Sequence, residues 1–250
     1  MLVKKSQVNI ALFNTLHYII NVNLKIFFLL IYSNKIMKLK KLLKLFIPEI
    51  VLIIKRKIFK HKLNSELFDG YNTLFKKSFS LKSIYGEYGC GKSTIYVLKS
   101  FNIPIYSVDS SEYWVNEIKK KYQKNNLNIK HINIGNVEPY SSGRPEDYSL
   151  RHNIMNYPLY IWQQELKPNV ILIDGRFRVL CFLVSLKLCD ENTIIIFDDY
   201  VDRKYYHIVE EFIKPISKDG RQSLFVVSNK SNIDMNKLEF LIDKFNYVMD

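Results

Sequence analysis

The chain has 250 residues, enough for one α/β domain with a sizeable core and an appendage, and its apolar and charged fractions are ordinary for a globular protein. Its net charge of +13 is unevenly placed: residues 1–82 carry 16 Lys+Arg against 3 Asp+Glu, and residues 83–250 carry 21 of each. A neutral main domain excludes a nucleic-acid groove across it, which would need a basic face. The three cysteines, Cys90, Cys181 and Cys189, show no C-x-x-C spacing. That excludes a disulfide framework and a zinc-finger site, and points to a reducing, cytoplasmic compartment.

The first stretch, residues 1–64, reads as a basic, apolar arm. Residues 10–32 are rich in Ile, Leu and Phe but broken by Asn14, His17, Asn21, Asn23 and Lys25. The longest clean run, residues 26–32, is too short to span a bilayer, and no small-residue cleavage site marks a signal peptide. Met37 offers a second start, which makes residues 1–36 an expected upstream extension outside the folded protein. Residues 38–60 alternate lysines with Leu, Ile and Phe, with Pro48 and Glu49 fitting a helix start. A basic amphipathic helix can lie on an anionic membrane surface, or can pack on the domain and show its lysines to water.

Residues 65–250 read as the main domain. Asp69-Gly70 predicts a turn and residues 71–77 a short helix. Residues 82–88 predict a strand, followed by Gly89, Cys90 and Gly91 and a helix over 93–100. Closely spaced glycines between a strand and a helix let a ligand approach the backbone and the helix N-terminus. Two readings fit. Gly86-Glu87-Tyr88-Gly89-Cys90-Gly91-Lys92-Ser93 satisfies the P-loop pattern letter for letter, with Lys92 for the phosphates and Ser93 for magnesium. The same residues satisfy motif I of a class I S-adenosylmethionine (SAM)-dependent methyltransferase, with Glu87 as the strand-end acid and Gly89-x-Gly91 after it.

The remaining elements arbitrate. Residues 103–108 predict a strand ending in Asp109, roughly 20 residues past the glycine loop, where dinucleotide- and SAM-type sites hold the ribose hydroxyls. A helix N-cap is the duller role for that acid. Residues 113–124 predict a helix and 128–134 a third strand, ended by Gly135. Residues 138–148 form a loop, of the kind that shapes a substrate pocket. Residues 170–173 predict a buried strand ending in Asp174, and 179–188 a helix apolar almost all round. Residues 193–197 predict another buried strand, ending in Asp198-Asp199. A helix over 202–212, a hairpin turning at Asp219-Gly220 and a closing helix over 234–245 complete the chain. This order predicts an α/β fold: a Rossmann-like, mostly parallel sheet closed by an antiparallel hairpin. That is the class I methyltransferase layout.

A resemblance follows from four segments. Glu87-Tyr88-Gly89-Cys90-Gly91-Lys92-Ser93-Thr94 resembles the E-Y-G-x-G-x-S-T start of a group of bacterial class I SAM-dependent methyltransferases. Residues 108–114, V-D-S-S-E-Y-W, are similar to their V-E-x-D-x-x-W. Leu172-Ile173-Asp174-Gly175-Arg176-Phe177-Arg178-Val179-Leu180-Cys181 is similar to their L-I-D-G-R-F-R-V-A-C, the most specific match. Ile196-Phe197-Asp198-Asp199-Tyr200 resembles their I-x-D-D-Y. The likeness spans residues 71–228 and excludes the arm. Lys92 stands where the group usually has a small residue, and Asp109 replaces the commoner Glu.

The resemblance implies a SAM site. Glu87, Gly89 and Gly91 would line the methionine part, Asp109 the ribose, and Ile134 and Gly135 the adenine side, with Cys90, Ser93, Thr94 and Ser110 also among the cofactor-binding residues. Some members of the group sit near polysaccharide genes, so it implies a sugar or small-molecule hydroxyl as acceptor. Asp174, Asp198 and Arg176 are the expected catalytic residues. Asp174, Asp198 and Asp199 resemble the magnesium ligands of catechol-type O-methyltransferases, although Asp199 stands where those have Asn. Pairing of these acids with Arg176, Arg178 or Arg203 is the alternative. Arg176 and Arg178 could also grip an acidic acceptor. His152 and His207 are further base candidates. A P-loop NTPase or kinase and a non-catalytic SAM-fold interaction protein are the competing function classes.

Overall fold

The computed structural model describes residues 66–137, 145 and 149–248, all within the unit Ser65–Asp250. The expectations for the basic arm, for the start at Met37 and for most of the loop 138–148 lie outside the described residues. Among the described residues no helix is long and apolar enough to cross a membrane.

Helix α1 (Thr73–Lys77) leads into β1 (Tyr85–Tyr88), α2 (Lys92–Ser100), β2 (Ile105–Asp109), α3 (Glu112–Lys121) and β3 (Leu127–His131). A short helix α4 (Asn156–Leu159) precedes β4 (Val170–Ile173), α5 (Arg178–Leu188) and β5 (Ile194–Phe197). A 3-10 helix over Lys204–Glu211, the hairpin β6 (Ser217–Asp219) and β7 (Gln222–Val226), and α6 (Met235–Phe245) follow. The seven-stranded sheet has the order β3-β2-β1-β4-β5-β7-β6. Strands β1 to β5 pair in parallel, and β7 runs antiparallel to both β5 and β6. The mostly parallel sheet closed by a hairpin is as expected.

Alternation on the central strands builds two cores. On β4, Val170 and Leu172 face one apolar cluster, while Ile171 and Ile173 face the other. The first cluster lies with Val97 and Leu98 of α2 and Val115 and Ile118 of α3. The second holds α5, which is buried from Arg178 to Leu186 because it is apolar on nearly every side and packs against α6. A side chain is in contact on both faces of the sheet, so β4 needs a continuous apolar run.

Several boundaries differ from expectation for local reasons. Strand β1 starts at Tyr85 rather than at 82, because Ser80 and Ser83 close a turn: the Ser83 amide donates to the Ser80 carbonyl at 3.1 Å and the Ser80 amide to Ser83 Oγ at 2.8 Å. The helix expected over 202–212 is a 3-10 segment. The first hairpin strand is only three residues long, although the Ile216 amide already reaches the Leu224 carbonyl at 2.8 Å. Helix α6 starts as expected, with the Asp234 carboxylate accepting from the Lys237 amide at 3.0 Å.

Candidate active site

The C-terminal tips of β1, β2 and β4 meet around two glycines. Gly89 has φ +95°, and a Cβ there would lie 2.6 Å from Gly175 Cα. A Cβ on Gly175 would lie 2.2 Å from the Tyr157 hydroxyl. The loop after β1 and the loop after β4 therefore touch backbone to backbone, and only glycine permits it. Gly91 is different: it is extended, and a Cβ there meets nothing within 4 Å. Open space lies over this glycine, as a ligand crossing the loop requires.

Glu87 lies beneath the loop. Register pairs it with Ser107 on β2, and alternation puts both on the face of α2. The carboxylate is fully buried and accepts from four hydroxyls: Tyr85 at 2.9 Å, Ser107 at 2.8 Å, Ser93 and Thr94. Thr94 Oγ1 also accepts from the Gly91 amide at 2.9 Å, so the loop is tied to Glu87 through Thr94. Burial raises the Glu87 pKa, and the four hydroxyls oppose that rise. Glu87, Ser93 and Thr94, expected among the cofactor-binding residues, satisfy one another beneath the loop and support it from below.

The same bonds weigh against the P-loop reading. Gly86 and Glu87 are strand residues, not loop residues. The amides of Gly89, Cys90 and Gly91 donate to the Val108 carbonyl at 2.8 Å, to Asp109 Oδ2 at 2.8 Å and to Thr94, so none is turned out to cradle phosphate. The Ser93 hydroxyl that would hold magnesium is committed to Glu87.

Asp109 stands at the β2 tip, where it accepts from the Cys90 amide and, through Oδ1, from the Ser111 amide at 2.7 Å. Burial raises its pKa from 3.8 to about 6, against those amides, the Cys90 thiol and the charge of Arg176. Its oxygens keep lone pairs for further donors. Burial and this carboxylate push the Cys90 thiol well up. Ser110 is buried beside it, and its carbonyl meets His131 Nε2 at 3.2 Å. Ile134 is buried past β3, and Gly135 turns with φ +102°.

The tips of β4 and β5 hold the other acids. Asp174 pairs with Arg178 at 3.1 Å. Asp198, fully buried, forms an ion pair with Arg221 at 2.9 Å and accepts from Arg221 Nε at 3.1 Å and from Gln222 at 3.0 Å. Asp199 meets Arg203 at 2.7 Å, Arg178 at 3.2 Å and Arg221 at 3.4 Å. Burial and the neighbouring Asp198 hold the Asp174 pKa well above the carboxylate range, with Arg178 opposing. Phe177 and Asp199 have φ of +53° and +57°, so both strand-end loops carry strained non-glycine residues. Sequence reasoning missed Arg221 and Gln222, which reach the acids only because β7 lies beside β5. It also missed Ser107 and Tyr85, whose signal was a polar group at the period-two position facing Glu87.

The three aspartates are brought together, but they do not fit a resident cation. Each already faces a guanidinium, and among the described residues no group of three His, Cys, Asp or Glu side chains is arranged to hold a metal. The three residues form an aspartate–arginine cluster, the pairing that stood as the alternative to a magnesium centre. His207 stacks on Tyr200 and meets its carbonyl at 3.1 Å, and His152 is exposed on a 3-10 turn.

A solved methyltransferase-like protein from Silicibacter pomeroyi is similar to this chain, with 29% identity over 66% of this chain and 87% of that one, at a TM-score of 0.55. The chain has the Rossmann-like methyltransferase fold. The MycE methyltransferase of the mycinamycin pathway, in complex with Mg, SAH and mycinamycin VI, matches at 10% identity over 64% of this chain and 49% of that one, TM-score 0.38. A SAM-dependent methyltransferase from Methanosarcina mazei matches at 8% over 69% and 83%, TM-score 0.29. Both are too remote to inform the chemistry. No family model matches the chain, and no curated protein matches it. Within the methyltransferase fold, the glycine loop, Asp109 and the strand-end acids lie side by side at the C-terminal tips of β2, β1, β4 and β5, with open space over Gly91.

Proposed function

We propose that the chain is a SAM-dependent methyltransferase acting on a hydroxyl of a sugar or other small molecule in the cytoplasm. One observation carries the reading: open space over Gly91 adjoins a buried carboxylate, Asp109, that retains lone pairs. SAM fits such a cradle, with its amino-acid part over Gly89, Cys90 and Gly91, its ribose hydroxyls donating to Asp109, and its adenine toward Ser110, Ile134 and Gly135. When bound, SAM supplies an electrophilic methyl group on a sulfonium.

The residues of the chain do the rest. Glu87 fixes the glycine loop through Thr94, so the cradle is preorganised. The acceptor side is the β4 tip. There Asp174, whose carboxyl is held proton-avid by burial and by Asp198, is suited to take the hydroxyl proton. Asp198 is a positioning residue, itself gripped by Arg221 and Gln222. No metal is invoked, since guanidinium groups already neutralise the acids. The neutral main domain favours a small acceptor over nucleic acid.

The test is a thermal-shift assay with the full chain. SAM or S-adenosylhomocysteine (SAH) at a hundredfold excess over Kd stabilises by about 2.7 kcal/mol, which raises the Tm by several degrees, and ATP–Mg leaves it unchanged. Stabilisation by ATP–Mg alone would return the chain to the NTPase class. No response to either favours a non-catalytic interaction protein.

A further inference from the structure

Four arginines stand near the tips of β4, β5 and β7, and three have carboxylate partners. Arg178 pairs with Asp174 and Asp199, Arg203 with Asp199, and Arg221 with Asp69, Asp198 and Asp199. Arg176 has no ion pair with any described residue, and its Nε is buried with no hydrogen-bond partner. An N–H kept from water without an acceptor destabilises the fold, so a buried one at a crevice asks what it is kept for.

Its position answers in part. Arg176 follows Gly175, whose backbone lies against Gly89 in the loop after β1. Its amide meets the Tyr157 hydroxyl at 3.4 Å, and its carbonyl accepts from Cys181 Sγ at 3.4 Å, so the backbone is held while the guanidinium is not. The side chain is close enough to Asp109 for its charge to favour the ionised carboxylate there, opposing burial. Arg176 is thus a half-buried residue just past the β4 tip, within electrostatic reach of the expected ribose acceptor, and no described residue accepts from its planar fork of donors.

We propose that Arg176 is the anion-binding residue of the crevice and takes the carboxylate of a bound ligand. This rests on the methyltransferase reading and deepens it. The carboxylate has two sources: the amino-acid part of the donor, or an acidic acceptor such as a uronate. A guanidinium recognises either through two parallel N–H···O bonds.

Isothermal titration of the full chain separates them. The probes are SAH, 5′-methylthioadenosine, which lacks the amino-acid part, and, on SAH-saturated protein, galacturonate against galactose. If the donor supplies the carboxylate, the wild-type preference for SAH over methylthioadenosine falls at least tenfold in Arg176→Gln. If the acceptor supplies it, that preference is unchanged, while galacturonate binding is at least tenfold weaker in Arg176→Gln and galactose binding is the same in both proteins. Arg176→Gln breaks no ion pair, so its Tm without ligand should match wild type. Arg176→Lys keeps the charge, serves if the Gln variant melts early, and should lose the preference about threefold. Affinities of either variant that equal wild type for every probe overturn the proposal and leave the methyltransferase reading standing. A wild-type chain that binds no SAH overturns the methyltransferase reading, and this inference with it.

Discussion

The two halves of the candidate site hold their carboxylates in opposite ways. Around β1 and β2, Glu87 and Asp109 are held by neutral donors: hydroxyls for Glu87, backbone amides for Asp109. Around β4, β5 and β7, Asp174, Asp198 and Asp199 are held by arginines. Neutral donors leave negative charge at the tip of β2, where a ligand with hydroxyls can use it. Arginines cancel the charge of the second group and leave a rigid, electrically balanced wall. On the proposed reading, the first half binds through its acids, and the second, Asp174 apart, shapes and positions.

The largest effect that would sharpen this contrast is at Glu87. Glu87→Ala leaves four buried hydroxyls without their acceptor and should cost about 4 kcal/mol of stability, read by denaturant unfolding. Stability within 1 kcal/mol of wild type would mean that the hydroxyls find other partners and that Glu87 is no keystone. Next come the two glycines. Gly89→Ala strains a positive φ and drives a Cβ into Gly175, for about 3 kcal/mol of lost stability. Gly91→Ala should leave the Tm alone and weaken SAH binding, because its Cβ enters space only a ligand fills. A stable Gly91→Ala with unchanged SAH affinity would break the account of the cradle.

On the arginine side, Arg221→Ala strands Asp198 in the core. The expected loss is about 2 kcal/mol, reduced from the value for a wholly buried pair because Arg221 is partly exposed. Adding Asp198→Asn should restore part of it, since the neutral amide needs no counter-charge. The smallest effect is in pH. Asp109 has its pKa raised to about 6, so the folded chain binds that proton more tightly than the unfolded chain does. Its contribution to stability is complete below about pH 4 and is lost as the pH rises through about 6. Donor binding runs the other way. It needs the ionised form, so SAH affinity should fall about tenfold per pH unit below 6.

The same contrast separates what was legible in the sequence from what was not. The glycine loop, Asp109 and the order of strands and helices are local patterns, and period-two and period-3.6 spacing reveals them. Glu87 was legible as a strand-end acid, but its role was not. Motif spacing says that an acid is present, whereas its direction depends on alternation along β1, which turns it toward Ser107 and α2 rather than toward the crevice. Arg221 was hidden for another reason. It lies 23 residues from Asp198 and reaches it only because β7 inserts between β5 and β6. The aspartates were read as metal ligands through the likeness to catechol-type O-methyltransferases, while the alternative pairing with Arg178 and Arg203 was legible because both arginines follow the acids closely in the chain.

The most direct measurement is calorimetric titration of SAH into the wild-type chain and into Asp109→Asn at pH 7.5. One SAH per chain should bind to wild type, and the variant should bind it about a hundredfold more weakly, as loss of hydrogen bonds to a charged acceptor requires. No heat with SAH, or equal affinity in the two proteins, would contradict a donor site built on Asp109.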